Sequence, residues 1–141
     1  MKVRTVVLLA LVFVMLAATP VFAGGRPLAA DLSGDNAVPG PGDPDGSGAA
    51  YLTLNQGQGL ICFDIEVADI ATPAAAHLHE GAAGVSGGVV VNLDIDSNGL
   101  SGCVPATKDT VKAIRQNPSD YYINVHNGDF PSGAIRGQLE K

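Results

Sequence analysis

The alternation of residue types along the chain predicts an all-β fold, a Greek-key β-sandwich or barrel of about seven or eight strands with one short crossover helix. Three observations predict it. Apolar residues recur with period two in short runs, the signature of half-buried strands. The 18 glycines and 9 prolines are dispersed between those runs, where turns require them. Strands with one apolar face can cover it only against one another, which calls for two packed sheets or a closed one.

In chain order, residues 1–23 read as an export signal. Lys2 and Arg4 precede an apolar stretch over 6–18, and Val21-Phe22-Ala23 follows Pro20 with small residues where a signal peptidase cuts. Cleavage is expected after Ala23, leaving a single β domain at 24–141. The apolar stretch is shorter than the roughly 20 residues of a bilayer span, which disfavours a retained anchor, and no cysteine near the cut is placed for lipid attachment.

A first strand is expected near 28–32. Residues 36–48, rich in Gly, Pro and Asp, read as a long exposed loop. Residues 50–54 alternate, and Ile61, Phe63, Ile65 and Val67 form an apolar face opposite Cys62, Asp64 and Glu66. The text around His77 and His79 is also strand-like. Gly81, Gly84, Gly87 and Gly88 shape a connection to the next strand, which carries Val89, Val91 and Leu93. Thr107 can cap a helix running through Gln116, with Val111 and Ile114 on one face and Pro118 blocking continuation. Ile123 with Val125, then Ile135 with Leu139, complete the strands.

The chain carries 8 basic and 14 acidic residues, a net charge of −6, and removal of the leader takes away two bases and no acid. Nucleic acid and anionic membrane surfaces are therefore poor partners. Cys62 and Cys103 are the only cysteines. In an exported chain an even pair favours a disulfide, stabilising by roughly 4 kcal/mol in the chain-entropy model. A thiolate metal site or a redox pair are the alternatives, although the spacing is not CxxC.

The three histidines are His77 and His79 in Ala76-His77-Leu78-His79-Glu80-Gly81, and His126 in Tyr122-Ile123-Asn124-Val125-His126. Alternation puts His77 and His79 on one face and Leu78 on the other, and sets His126 opposite Ile123 and Val125, so all three imidazoles point away from the core. A pair at i and i+2 joined by a third histidine from a neighbouring strand can place three neutral nitrogens around one ion. Copper or zinc suits such a set, and copper leads on affinity order. Arg136, Asn124 and Glu80 are the expected supporting residues around that ion.

Other constellations carry less. Arg136 can guide an anion or, more simply, pair with a carboxylate such as Asp129. Asp94, Asp96 and Asn98 spell half a calcium loop, but Pro105 stands where the closing carboxylate belongs, so a strand-end turn is expected. Asp43-Pro44-Asp45-Gly46 reads as a turn. Gly84-Val85-Ser86-Gly87-Gly88 spells Gly-x-Ser-x-Gly, but it lies in a connection between two strands rather than at the strand-to-helix turn of a nucleophile elbow. Glu80 reads as a solvated residue entering a turn unless a metal-bound water lies within its reach.

Three segments resemble the CHRD domain, the module repeated in chordin and found singly in exported bacterial proteins. They are Leu32-Ser33-Gly34-Asp35-Asn36-Ala37-Val38-Pro39, then Ala76-His77-Leu78-His79-Glu80-Gly81 with the glycines and valines after it, and Tyr121-Tyr122-Ile123-Asn124-Val125-His126 through Ile135-Arg136-Gly137-Gln138-Leu139. Ala37 departs from the acidic residue common there. In chordin the module belongs to an extracellular growth-factor antagonist, and the resemblance implies no reaction. The His-Leu-His-Glu-Gly segment is also similar to the copper-ligand strand of copper/zinc superoxide dismutases, which are Greek-key sandwiches using further histidines that this chain lacks. The expected function is a non-catalytic, secreted or periplasmic binding module holding one copper or zinc ion. The alternatives are a dismutase-like redox enzyme and a metal-free adhesive module binding another extracellular protein.

Overall fold

A computed structural model describes residues 25–141; the expected leader lies outside the described residues. Eight strands are present: β1 (Arg26–Ser33), β2 (Ser47–Asn55), β3 (Leu60–Ala68), β4 (Pro73–Glu80), β5 (Val89–Asn92), β6 (Ser101–Pro105), β7 (Tyr121–Asn127) and β8 (Ile135–Gln138). They form one antiparallel sheet in the order β5-β4-β7-β8-β1-β2-β3-β6. It curls into a nearly closed barrel, whose edge strands β5 and β6 are joined by a single helical turn, α1 (Ile95–Asn98). The all-β expectation holds, and the 94–99 segment is the strand-end turn expected of it. Two connections cross over: β3 to β4 through residues 69–72, and β6 to β7 through the helix α2 (Lys108–Gln116).

Alternation fills the interior. Leu28, Ala30 and Leu32 of β1, Leu52 and Leu54 of β2, Ile61, Phe63 and Ile65 of β3, Leu78 of β4 and Ile123 and Val125 of β7 pack in one cluster. Helix α2 contributes Val111 and Ile114, both fully buried. Its start is set by Thr107, whose Oγ1 accepts the amide of Thr110 at 3.1 Å. Such a cap satisfies one of the amides that the first helical turn leaves without a partner. Its end is set by Pro118, which opens a separate 3-10 turn, Pro118–Asp120.

Cys62 and Cys103 lie directly opposite each other on β3 and β6 and are joined by a disulfide. The bond closes a 41-residue separation and ties the edge strand β6 to the body of the sheet.

One expectation holds only in part. Residues 37–46 form a loop with Pro39, Gly40, Pro41, Pro44 and Asp45 exposed, but the loop is tied down rather than free. Strand β2 begins at Ser47, and the preceding chain folds down onto the sheet end, with Ala37 and Asp43 buried. Asp43 donates its amide to the Ala134 carbonyl at 2.9 Å, and Gly34 donates to Gly46 at 3.1 Å. Glycine makes the approach possible: a Cβ on Gly34 would stand 1.7 Å from the Asp43 carbonyl oxygen. A composition that reads as solvated turn is here used for close backbone packing.

Register then positions the histidine face. Across β4 and β7, His77 pairs with Asn124, His79 with Tyr122, and Ala75 with His126. Across β7 and β8, Tyr122 pairs with Gln138 and Asn124 with Arg136. These side chains therefore share the face opposite the Leu78 and Ile123 core.

Candidate metal centre

His77, His79 and His126 come together. One ring nitrogen from each lies within 4.8 Å of the other two, and the centroids of His77 and His126 are 5.0 Å apart. The sequence placed these rings away from the core. The structure adds that they are not exposed: His79 is only 8 % accessible, and His77 and His126 are partly buried. Two loops cover them, residues 81–88 between β4 and β5 and residues 128–134 between β7 and β8.

Those loops orient the rings. His79 Nδ1 lies 2.9 Å from the Gly87 carbonyl, and His126 Nδ1 lies 3.0 Å from the Pro131 carbonyl. A carbonyl only accepts, so each Nδ1 carries the proton and each Nε2 presents its lone pair. Backbone carbonyls holding the far nitrogen are the usual support of a metal-ligating histidine. The nitrogens left over are His79 Nε2, His126 Nε2 and His77 Nδ1, all buried and without a hydrogen-bond partner. Three such atoms are costly as they stand, because a buried acceptor without a partner forfeits its hydration. Metal bonds of about 2.0–2.1 Å need ligand nitrogens roughly 3–4 Å apart, somewhat closer than the 4.8 Å within which one nitrogen of each ring lies from the others.

The environment favours the neutral forms of His77 and His126. Burial pushes the His77 pKa below the ordinary 6.5, and the neighbouring His126 and His79 push it the same way. Burial also lowers that of His126, against the opposing pull of the Pro131 carbonyl and with a further contribution from His79. Neutral rings are the form that binds a cation.

Of the supporting residues expected from sequence, Arg136 is present but in another role. It does not pair with Asp129. Its side chain is 1 % exposed and donates to the carbonyls of Val85 and Ala82, each at 2.9 Å, and to Gln138 Oε1 at 3.4 Å. The 81–88 loop folds over β8 and offers these oxygens before any carboxylate reaches the guanidinium. The Arg136 Cζ lies 3.4 Å from the centre of the Tyr122 ring. Tyr122 stacks in turn on His79, with centroids 4.8 Å apart and planes 9° from parallel. Because β7 runs between β4 and β8, the phenol ring is held between His79 and Arg136.

Asn124 lies beside the histidines in register, 4 % exposed, donating from Nδ2 to the Ser132 carbonyl at 3.2 Å. Its Oδ1 is buried without a partner. Glu80 is exposed at the end of β4, and its charge acts on Tyr121 rather than on the histidines. It is not brought into the cluster.

Tyr122 and Gln138 were missed by the sequence reading. Gln138 Nε2 donates to the Gly81 carbonyl at 2.6 Å and the Ser119 carbonyl at 2.7 Å, pinning the covering loop. The Tyr122 hydroxyl accepts from the Gly87 amide at 3.0 Å. Alternation from His126 back through Asn124 to Tyr122 was the available signal for the latter.

Neither a curated protein nor a solved structure matches the chain. A family model does, described as the CHRD domain, over residues 28–139. That span holds β1 from Leu28 onward and β2 through β8, together with all three histidines, both cysteines, Tyr122 and Arg136. With the match covering nearly the whole described chain, the protein belongs to the CHRD-domain family.

Proposed function

We propose that the protein is an exported, non-catalytic binding module that holds one copper or zinc ion on His77, His79 and His126. The observation that carries the reading is the gathering of three histidines, each with one buried ring nitrogen that lacks a hydrogen-bond partner and two of them with their tautomer set by loop carbonyls. The CHRD assignment supports a binding module. A disulfide between β3 and β6 supports an oxidising compartment, outside the cell or in a periplasm.

The test is metal content by elemental analysis, with Cu²⁺ and Zn²⁺ titrations of the purified protein beside a His77→Ala/His79→Ala variant and a His126→Ala variant. One equivalent bound by the parent and lost in both variants is the expected result. Equal binding by parent and His126→Ala would remove the three-histidine assignment.

A further inference from the structure

We propose that the centre is tuned to hold copper as Cu(I), in preference to Cu²⁺ or Zn²⁺; this rests on the metal-binding reading above and adds the charge state of the ion. The first observation is the ligand set. Among the described residues the cluster consists of three histidines and no carboxylate, so nothing anionic offsets the charge of a bound ion. Zn²⁺ and Cu²⁺ would have to recruit further ligands, whereas a three-nitrogen set suits the low coordination number of a cuprous ion.

The second observation is Arg136. A buried guanidinium ordinarily finds a carboxylate, but its three acceptors here are two backbone carbonyls and an amide oxygen, all neutral. Its full positive charge is thus retained. It is held 3.4 Å from the Tyr122 ring centre, and Tyr122 is stacked 4.8 Å from the His79 ring, which puts the cation within about 8 Å of a ligand. A fixed positive charge penalises a divalent ion twice as much as a monovalent one. At an effective dielectric near 20 and a separation of about 10 Å, the difference is on the order of tenfold in relative affinity.

Burial acts in the same direction. His79 is nearly inaccessible and His77 and His126 are partly buried, and the cost of desolvating an ion grows with the square of its charge. Arg136 is a positioning residue: it touches no ion and acts through its fixed charge, which the Tyr122 ring helps to hold in place.

The experiment measures Cu(I) affinity by anaerobic competition with bicinchoninate, and Zn²⁺ affinity by competition with a chromophoric chelator. It compares the parent protein with Arg136→Gln and Arg136→Lys. The parent should bind Cu(I) more tightly than Zn²⁺. Arg136→Gln should move the Cu(I)-to-Zn²⁺ affinity ratio about tenfold or more toward zinc, and Arg136→Lys, which keeps the charge, should restore it to within about threefold. An unchanged ratio in Arg136→Gln, or a parent that prefers Zn²⁺, overturns the inference while leaving the metal site intact. Should Arg136→Gln fail to fold, the reduction potential of the copper-loaded parent decides: above that of the aqueous couple supports Cu(I) tuning, below it overturns it. A parent that binds neither metal removes this inference together with the proposed function.

Discussion

Arg136 is the residue whose role differs most from its sequence context, and its replacement gives the sharpest stability prediction. Arg136→Ala removes two hydrogen bonds of 2.9 Å to the carbonyls of Val85 and Ala82 and the stacking on Tyr122. Each charge-assisted bond contributes about 1.5–3 kcal/mol, and a cation over a desolvated ring adds about 0.5–2 kcal/mol. Against this stands relief of the guanidinium's own desolvation, which removes several kcal/mol from the gross loss. The expected net destabilisation is about 3 kcal/mol, with the 81–88 loop loosened. Urea unfolding followed by far-UV circular dichroism measures it. The exposed Arg26, at the start of β1, provides the control, where replacement by alanine should cost under about 0.5 kcal/mol. An Arg136→Ala loss no larger than that of Arg26→Ala would refute the claim that the guanidinium clamps the loop.

Thr107→Ala deletes the α2 cap and should lower stability by about 1 kcal/mol in the same assay, with Thr107→Ser close to the parent. Replacing Cys62 and Cys103 by serine should cost up to about 4 kcal/mol, read as a lowered urea midpoint with unchanged far-UV spectrum in the folded state. The pH dependence follows from the lowered pKa values of His77 and His126. The unfolded chain takes up protons near pH 6.5 and the folded metal-free protein does so only at lower pH, so this contribution to stability is present above 6.5 and lost as pH falls below it. Urea midpoints of metal-free protein should therefore drop between neutral pH and about pH 5, and a His77→Gln/His126→Gln variant should show a flatter profile. An identical slope in that variant would contradict the assignment of these two rings as partly buried with lowered pKa values.

Much of the fold was legible because strand and helix signals are local. Ile61, Phe63 and Ile65 alternate with polar neighbours and do face the core. Thr107, Val111, Ile114 and Pro118 gave the start, buried face and end of α2 within a dozen residues. The histidine cluster was partly legible for the same reason, since period two sets the face of each side chain. What was not legible depends on backbone atoms that residue names do not display. Arg136 was expected to find a carboxylate, but it found the carbonyls of Ala82 and Val85, more than fifty residues away in the chain. The packed 37–46 segment was hidden similarly, because glycine marks both a solvated turn and a close approach of two backbones.

The central claim is that His79 Nε2, His126 Nε2 and His77 Nδ1 are the three metal-facing atoms, and the most direct measurement is a long-range proton–nitrogen NMR spectrum of the imidazoles. Before metal is added, His79 and His126 should show the Nδ1-protonated tautomer. One equivalent of Zn²⁺ or of anaerobic Cu(I), both diamagnetic, should shift those three nitrogens together and leave the Nδ1 protons of His79 and His126 in place. Nε2-protonated rings in the metal-free protein, or three ring nitrogens that do not respond to the metal, would contradict it.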